Sequence, residues 1–339
     1  MLSKLPAGTV ERAPTLEDTQ ALVDMFNAAS RKLFGIDQVT LEEQRIEFEQ
    51  PGRSLEDDFR VVVAPDGTMI GYIEVFGLTE PFTPLFCWGR VHPEYQGRGV
   101  GSYLLQWAEA RARKALPLSK PELRVPLWVF CDTIDTQAQA MLTKQDFALL
   151  RHNLRMVIEL NGVPPEPVWP AGITVRTVVS EQDEFAAFVA GREAFCDHFG
   201  HVVRPLETEF ETWKHRMDNS SDYDPQLWFL ALDGEQIAGN SLCFKRTDND
   251  PGFGWVGSLS VRRPWRKQGL GLALLQHSIA EFYRRGYRKV GLGVDAQNLT
   301  GAVRLYEKAG MHSDPLFQMT IFEKELRPGK DIFVVGGAG

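Results

Sequence analysis

The chain has 339 residues, 43% of them hydrophobic and 24% charged, with a net charge of −8. That length suits two domains that each bury a core, and the acidic balance argues against nucleic acid, whose binding needs a basic face. The segment MLSKLPAGTVERAP lacks the apolar core of a signal peptide, and no apolar run approaches the roughly 18 residues of a membrane span. Cys87, Cys131, Cys196 and Cys243 show neither metal-site nor disulfide-framework spacing. They read as buried thiols in a reducing compartment, so the expectation is a cytoplasmic protein without metal and without a membrane or nucleic-acid partner.

The elements come in two matching series. The first opens with a short strand at Thr9–Arg12, after which Thr15 caps a helical pattern carrying Leu16, Leu22, Val23, Met25 and Phe26. A second helix spans about 41–49. FRVVVAPDGTMIGYIEVFG then reads as a hairpin around Asp66-Gly67, the pair that a type I′ turn favours because both central positions need φ > 0. A fourth strand, Pro84–Val91, leads into a glycine-bearing loop and a helix. Strand 124–131, helix 135–144 and a last strand, 149–160, follow.

NGVPPEPVWPAG, residues 161–172, has four prolines and two glycines and reads as a stiff, extended linker. The second series begins at Ile173–Arg176. Ser180 caps a helix with Phe185, Phe188 and Val189, and Leu206–Met217 is a second helix. The hairpin turns at Asp233-Gly234, and Phe253–Val261 leads into the second glycine loop. Its helix carries Leu270, Leu274, Leu275, Ile279 and Phe282 and stops at Arg284, Arg285 and Gly286. Strand 289–294, helix 298–308 and strand 316–326 complete it, and the GGAG tail is expected to be mobile. A period near 168 residues is domain duplication and not a solenoid.

The loops carry the chemistry. VHPEYQGRGVG (91–101) and VRRPWRKQGLG (261–271) align without a gap at an offset of 170, Val91 on Val261, Gln96 on Arg266, Gly99 on Gly269 and Gly101 on Gly271. Each sits between a strand and a helix, where backbone N–H groups and the helix dipole can hold phosphate oxygens. Neither has the Gly-Lys-Ser/Thr of a Walker A loop or the third glycine of the dinucleotide fingerprint. Both fit Gln/Arg-x-x-Gly-x-Gly.

That pattern, after the fourth strand of such a series, resembles the acyl-CoA-binding loop of the GCN5-related N-acetyltransferases, the GNAT superfamily. The resemblance covers about 10–160 and 172–326. It implies an α/β (α+β) fold of two tandem domains, each a mostly antiparallel mixed sheet flanked by helices. The expected domains are 1–160, the linker 161–171, 172–326 and the tail 327–339. The implied activity is transfer of an acetyl group from acetyl-CoA to a primary amine of a small molecule or peptide, by a monomer or homodimer. The alternative is a non-catalytic acyl-CoA-binding or sensing protein.

By the same resemblance, amides around Arg266, Lys267, Gln268, Gly269, Leu270 and Gly271 hold the CoA pyrophosphate. The backbone at Leu259, Ser260 and Val261 pairs with the pantetheine arm, and Asn298 contacts the cofactor or caps a helix. In the first series Gln96, Gly97, Arg98, Gly99 and Gly101 are the matching cofactor residues. VDAQNLTGAVRLYEKAGM (294–311) places Tyr306 where the family's general acid stands, with Met311 in place of the usual Phe. The first series has Leu142 opposite Tyr306 and Ile134 opposite Asn298, so it looks degenerate and the second series catalytic. Strand 253–261 offers only Ser258 and Ser260 and no acid. Asp295 is therefore the candidate base, with Glu193, His198 and His201 beside it. Acceptor specificity is expected from 180–218, with Phe195, Phe199 and Trp213, and Asp218, Asp222 and Asp224 are candidates to attract a cationic amine.

Overall fold

A computed structural model describes residues 4–297 and 301–333. The first half contains β1 (Val10–Arg12), α1 (Thr19–Phe34), α2 (Leu41–Phe48), α3 (Leu55–Asp58), β2 (Phe59–Val63), β3 (Met69–Phe76) and β4 (Leu85–Val91). It continues with α4 (Val100–Lys114), β5 (Val125–Asp132), α5 (Thr136–Lys144) and β6 (Ala148–Glu159). The second half contains β7 (Ile173–Thr177), α6 (Glu181–Ala194), α7 (Leu206–Asn219), β8 (Trp228–Asp233), β9 (Gln236–Phe244) and β10 (Phe253–Val261). It ends with α8 (Leu270–Arg284), β11 (Lys289–Asp295), α9 (Ala302–Lys308) and β12 (His312–Arg327). The helix expected to start at Asn298 is described from Ala302; Asn298 and the GGAG tail lie outside the described residues.

Local chemistry sets the boundaries. Thr40 accepts from the Glu43 amide while Glu43 reaches back to Thr40, a capping box that starts α2. Gly35 ends α1 at φ +77, and Gly286, at φ +83, follows α8. Both hairpins turn where Asp-Gly stands, but not as type I′, because Asp66 and Asp233 keep negative φ and only Gly67 and Gly234 are positive. Pro65 precedes Asp66, and the turn closes from the Gly67 amide to the Ala64 carbonyl at 2.9 Å. In the second hairpin Asp233 pairs with Gln236, leaving a two-residue loop with glycine first.

The chain folds into two compact units, and neither is continuous in sequence. One takes residues up to His152, Arg204–Asn219 and Leu316–Phe333; the other takes Asn153–Val203 and Ser220–Pro315. In the first unit the sheet order is β1-β2-β3-β4-β5-β12, antiparallel except for β4 with β5. In the second it is β7-β8-β9-β10-β11-β6, antiparallel except for β10 with β11. This is the expected mixed, mostly antiparallel α/β arrangement.

The last strands are exchanged. β6 pairs with β11 from Asn153–Asp295 to Glu159–Lys289, and β12 pairs with β5 from Met319–Asp132 to Arg327–Val125. α7 is exchanged too. It packs in the first unit near α2, with His215 Nε2 3.3 Å from the Ile46 carbonyl. Alternation of apolar and polar residues states which face of a strand is buried, not which neighbour it takes. The pattern therefore gave each half its own last strand.

Each sheet is covered on both faces. In the first unit α4 buries Val100, Leu104 and Leu105 against Ile70, Val62 and Leu127. α1 and α2 bury Phe26 and Phe48 against Phe59 and Tyr72, with Phe26 edge-on to Tyr72 at 5.1 Å and to Trp88 at 5.2 Å. In the second unit α8 sets Leu270, Leu274, Ile279 and Phe282 against Val256, Val290 and Leu292. Gly254 makes that approach possible, since a Cβ there would lie 2.3 Å from the Phe282 ring. α6 lies on the other face through Ala187, Ala190 and Ala194, all buried.

Candidate active site

The second unit contains a split in its sheet. β10 and β11 run parallel for three residue pairs, the last Trp255 with Gly291. Beyond that point the ladders run on with the outer neighbours, β10 with β9 as far as Val261 and β11 with β6 as far as Asp295. A bulge between Val256 and Ser258 turns β10 at the point of divergence. Gly257 forms it, because a Cβ there would lie 2.3 Å from the Phe244 ring. The inner edge of Ser258, Leu259, Ser260 and Val261 thus keeps backbone groups for a guest that enters as a strand would.

Side chains around this edge are fixed from behind. Ser260 is buried and donates to Asn240 Oδ1 at 2.8 Å, and Asn240 Nδ2 donates to the Ala187 carbonyl of α6 at 2.8 Å. Leu259 and Val261 point to the opposite face and pack with the α8 core.

The loop after β10 forms a cradle at the N-terminus of α8, the kind of place where backbone N–H groups can meet an anion. A short 3-10 turn, Arg263–Trp265, leads to Lys267 at φ +62 and Gly269 at φ +89, which caps α8. A lysine in the left-handed region is uncommon and costs energy. Space around Gly269 is open, with nothing within 4 Å of where a Cβ would sit. Gly271 lies two residues further, within the first turn of α8, where a Cβ would come 3.2 Å from Leu305. Leu270 is buried, while Lys267 and Gln268 are exposed. Gln268 donates to the Pro264 carbonyl at 2.9 Å.

Arg266 has a role that the motif alone did not reveal. Its guanidinium points away from the helix end and bonds Asp197 Oδ2 at 2.5 Å, the Ala194 carbonyl at 2.6 Å and the Val261 carbonyl at 3.1 Å. It therefore holds the cradle against the end of α6. Asp197 is correspondingly stabilised as an anion, its carboxyl kept below the usual range chiefly by the Arg266 hydrogen bond. Glu193 is engaged as well, 2.9 Å from Arg262, which stacks near the Trp265 ring at 5.3 Å.

Tyr306 lies in α9, 8% exposed, among Leu270, Leu274, Met311 and other core residues. Burial pushes its phenol up to about 12. Asp295 ends β11, where its Oδ1 accepts from the Gln297 amide at 2.9 Å. His198, in the turn after α6, stands edge-on to Phe195 at 4.7 Å. Its imidazole is held below its ordinary value, first by burial, with Arg266 and His201 acting in the same direction and Asp197 and Asp295 against it. His198 and Asp295, far apart in sequence, thus share one electrostatic neighbourhood. The acidic residues near 220 are paired instead of poised for an amine: Asp222 with Arg246 at 2.8 Å, Asp224 with Arg285 at 2.6 Å, and Asp218 with Lys214. Trp213, on α7, falls in the first unit, stacked on Phe210 at 5.7 Å.

The first unit repeats the backbone of the loop with different side chains around it. Gly97 and Gly99 have φ +75 and +89, close to Lys267 and Gly269. Gln96 accepts from Lys32 at 2.5 Å, Arg98 lies over the Tyr95 ring at 4.9 Å, and a Cβ on Gly101 would meet Met141 at 3.0 Å. The Phe147 amide bonds the Leu142 carbonyl at 3.1 Å, just as the Met311 amide bonds that of Tyr306 at 3.0 Å. Leu142 therefore stands at the tyrosine's position. Among the described residues no cluster of His, Cys, Asp or Glu is placed to hold a metal, and no helix is long and apolar enough to cross a membrane.

Two residue ranges, 20–147 and 178–311, match the model of the Acetyltransferase (GNAT) family. The chain belongs to that family and is an acetyl-CoA-dependent acetyltransferase with two GNAT domains in tandem. It is 30% identical to a mycothiol acetyltransferase of Frankia casuarinae over 73% of this chain and 70% of that one. It is 32% identical to that of Geodermatophilus obscurus over 74% and 77%. A GCN5-related N-acetyltransferase from Sphaerobacter thermophilus shares 34% identity and a TM-score of 0.78 over 97% of this chain and 99% of that one. A tandem GNAT protein from the clavulanic acid biosynthesis pathway, 16% identical, shares the fold at a TM-score of 0.67.

Proposed function

We propose that residues 172–326 form the working half and pass an acetyl group from acetyl-CoA directly to a primary amine of a small molecule, while 1–160 is a degenerate copy joined through 161–171. The observation that carries this reading is the coincidence, in one unit, of the β10/β11 split, the open Gly269 cradle and a buried tyrosine. The loop amides from Arg266 to Gly271 bind the pyrophosphate, and glycine lets the backbone approach it. The edge of Leu259–Val261 pairs with the pantetheine arm, and its N–H groups polarise the thioester carbonyl. Asn298 remains a proposed cofactor contact.

The acceptor arrives as an ammonium of reference pKa near 10.4, so freeing its lone pair at pH 7 costs roughly 4.6 kcal/mol. Asp295, whose charge reaches His198, takes that proton directly or through water. The neutral amine attacks the carbonyl, the tetrahedral oxyanion collapses, and the C–S bond breaks. Tyr306, kept protonated by its burial, gives its proton to the departing thiolate, and the second proton of the attacking nitrogen, shed as the amide forms, passes through solvent to restore the phenol.

The relatives' name makes mycothiol formation the first activity to assay, beside a panel of primary amines, with release of the CoA thiol as the readout. Tyr306→Phe should keep acetyl-CoA affinity and lose about ten-fold or more in kcat. Unchanged turnover would remove Tyr306 from the reaction. A parent that binds acetyl-CoA and turns over no amine would favour the binding-protein alternative.

A further inference from the structure

The first unit has the same split as the second. β4 and β5 run parallel from Leu85–Leu127 to Cys87–Val129 and then part. Pairing with β3 and β9 places Arg90 of β4 where β10 has Ser260, since Arg90 faces Tyr72 and Ser260 faces Asn240. The parallel ladders place Asp132 of β5 where β11 has Asp295, four residues past Trp128 and Gly291 respectively. In the second unit Ser260 turns back to Asn240, and Asp295 accepts from the Gln297 amide of its own turn.

In the first unit the same positions carry opposite charges and join. Arg90 Nη2 bonds Asp132 Oδ2 across the gap, and both side chains are only 15% exposed. The guanidinium also lies over the Trp88 ring at 5.3 Å. A second contact acts at the loop. The Lys4 carbonyl oxygen stands 3.0 Å from where a Cβ on Gly99 would sit, and Leu5 packs on the adjoining core. A carbonyl oxygen facing the cradle presents negative charge where a phosphate would need positive charge. Gly269 has nothing within 4 Å at the same point.

We infer that the first unit is latched against acyl-CoA, by the Arg90–Asp132 pair across its split and by the Lys4–Leu5 segment over its loop, so that one thioester binds per chain. An acyl-pantetheine arm in that split would have to part a largely buried ion pair and leave each charge without its partner, which is strongly unfavourable. This goes beyond the proposed activity, since it concerns the unit that does no chemistry and is independent of which amine is acetylated.

Calorimetric titration with acetyl-CoA decides it. The intact protein should show one binding event per chain, and Gly269→Glu should show none; Lys267→Glu, which adds no new backbone strain, is its second form. Arg90→Ser, alone or with residues 1–5 removed, should restore one event in the Gly269→Glu background. Circular dichroism and a thermal melt check that each variant is folded. Two events in the parent, or one persisting in Gly269→Glu and Lys267→Glu, would overturn the latch, as would folded Arg90→Ser variants that regain nothing. A parent without any event would sink the acetyl-CoA reading of the second unit, while the Arg90→Ser variants would still decide the first.

Discussion

Tyr306 and Leu142 occupy the same turn in the two halves, and of the two only Tyr306 carries an ionisable hydroxyl. With its phenol pushed up to about 12 by burial, Tyr306 stays protonated through the neutral range and contributes no limb to a rate profile there. On the proposed mechanism the acid limb is that of His198 acting with Asp295. Burial favours its neutral form, so it remains a base at neutral pH and is lost only below the ordinary histidine range. kcat/KM should therefore hold at neutral pH and fall on the acid side, and His198→Asn should flatten that fall. An unchanged profile would leave the proton to Asp295 alone. Glu74 tests electrostatics away from the site. It is buried with Arg53 at 2.8 Å and with Glu47 also on that guanidinium. Burial raises its carboxyl to about 7, against the pull of Arg53. A carboxyl raised on folding stabilises below its unfolded value, near 4.5, and that contribution fades as pH rises through the folded one. The Tm of Glu74→Gln relative to the parent should thus be higher at pH 8 than at pH 5; the opposite order would reverse the sign.

At the scale of elements, the pair β9–β10 shows how the split is braced. Asn240 is wholly buried and links Ser260 of β10 to the Ala187 carbonyl of α6. Asn240→Ala would take the acceptor from the buried Ser260 hydroxyl and the side-chain donor from the Ala187 carbonyl, at about 1–3 kcal/mol. Urea unfolding should show that loss, and a shift below about 0.5 kcal/mol would mean the network is dispensable. Much of this region was legible in the sequence, because local chemistry determines it: Asp-Gly marked both hairpins, Gly99 and Gly269 marked the helix starts, and the tyrosine stood out by its spacing from Gly310. What was not legible depends on partners distant in sequence. Arg266 matched a cofactor motif but spends its guanidinium on Asp197 and Ala194. His198 gains its relation to Asp295 only through the turn after α6. The bulge at Gly257 has a cause, the Phe244 ring, that lies on another strand.

For the whole molecule, strand exchange has the largest consequence. A cut in 161–171 looks like a cut between domains, yet it would strip β12 and α7 from the first unit and β6 from the second. β5 carries Val125, Leu127, Val129 and Cys131 in its core, and without β12 it becomes an exposed edge with a row of unpaired backbone groups. β11, with Val290, Leu292 and Val294, loses β6 in the same way. Each fragment, 1–160 or 172–339, should therefore aggregate or stay partly unfolded when made alone, as judged by solubility and near-ultraviolet circular dichroism. Made together, each fragment supplies the strand that the other lacks, so the pair should assemble one-to-one and recover acetyl-CoA binding. Were fragment 172–339 alone soluble, cooperative in its melt and able to bind acetyl-CoA with undiminished affinity, β6 would be a dispensable edge, and the order of strands beside β11 would not be what holds the split in shape.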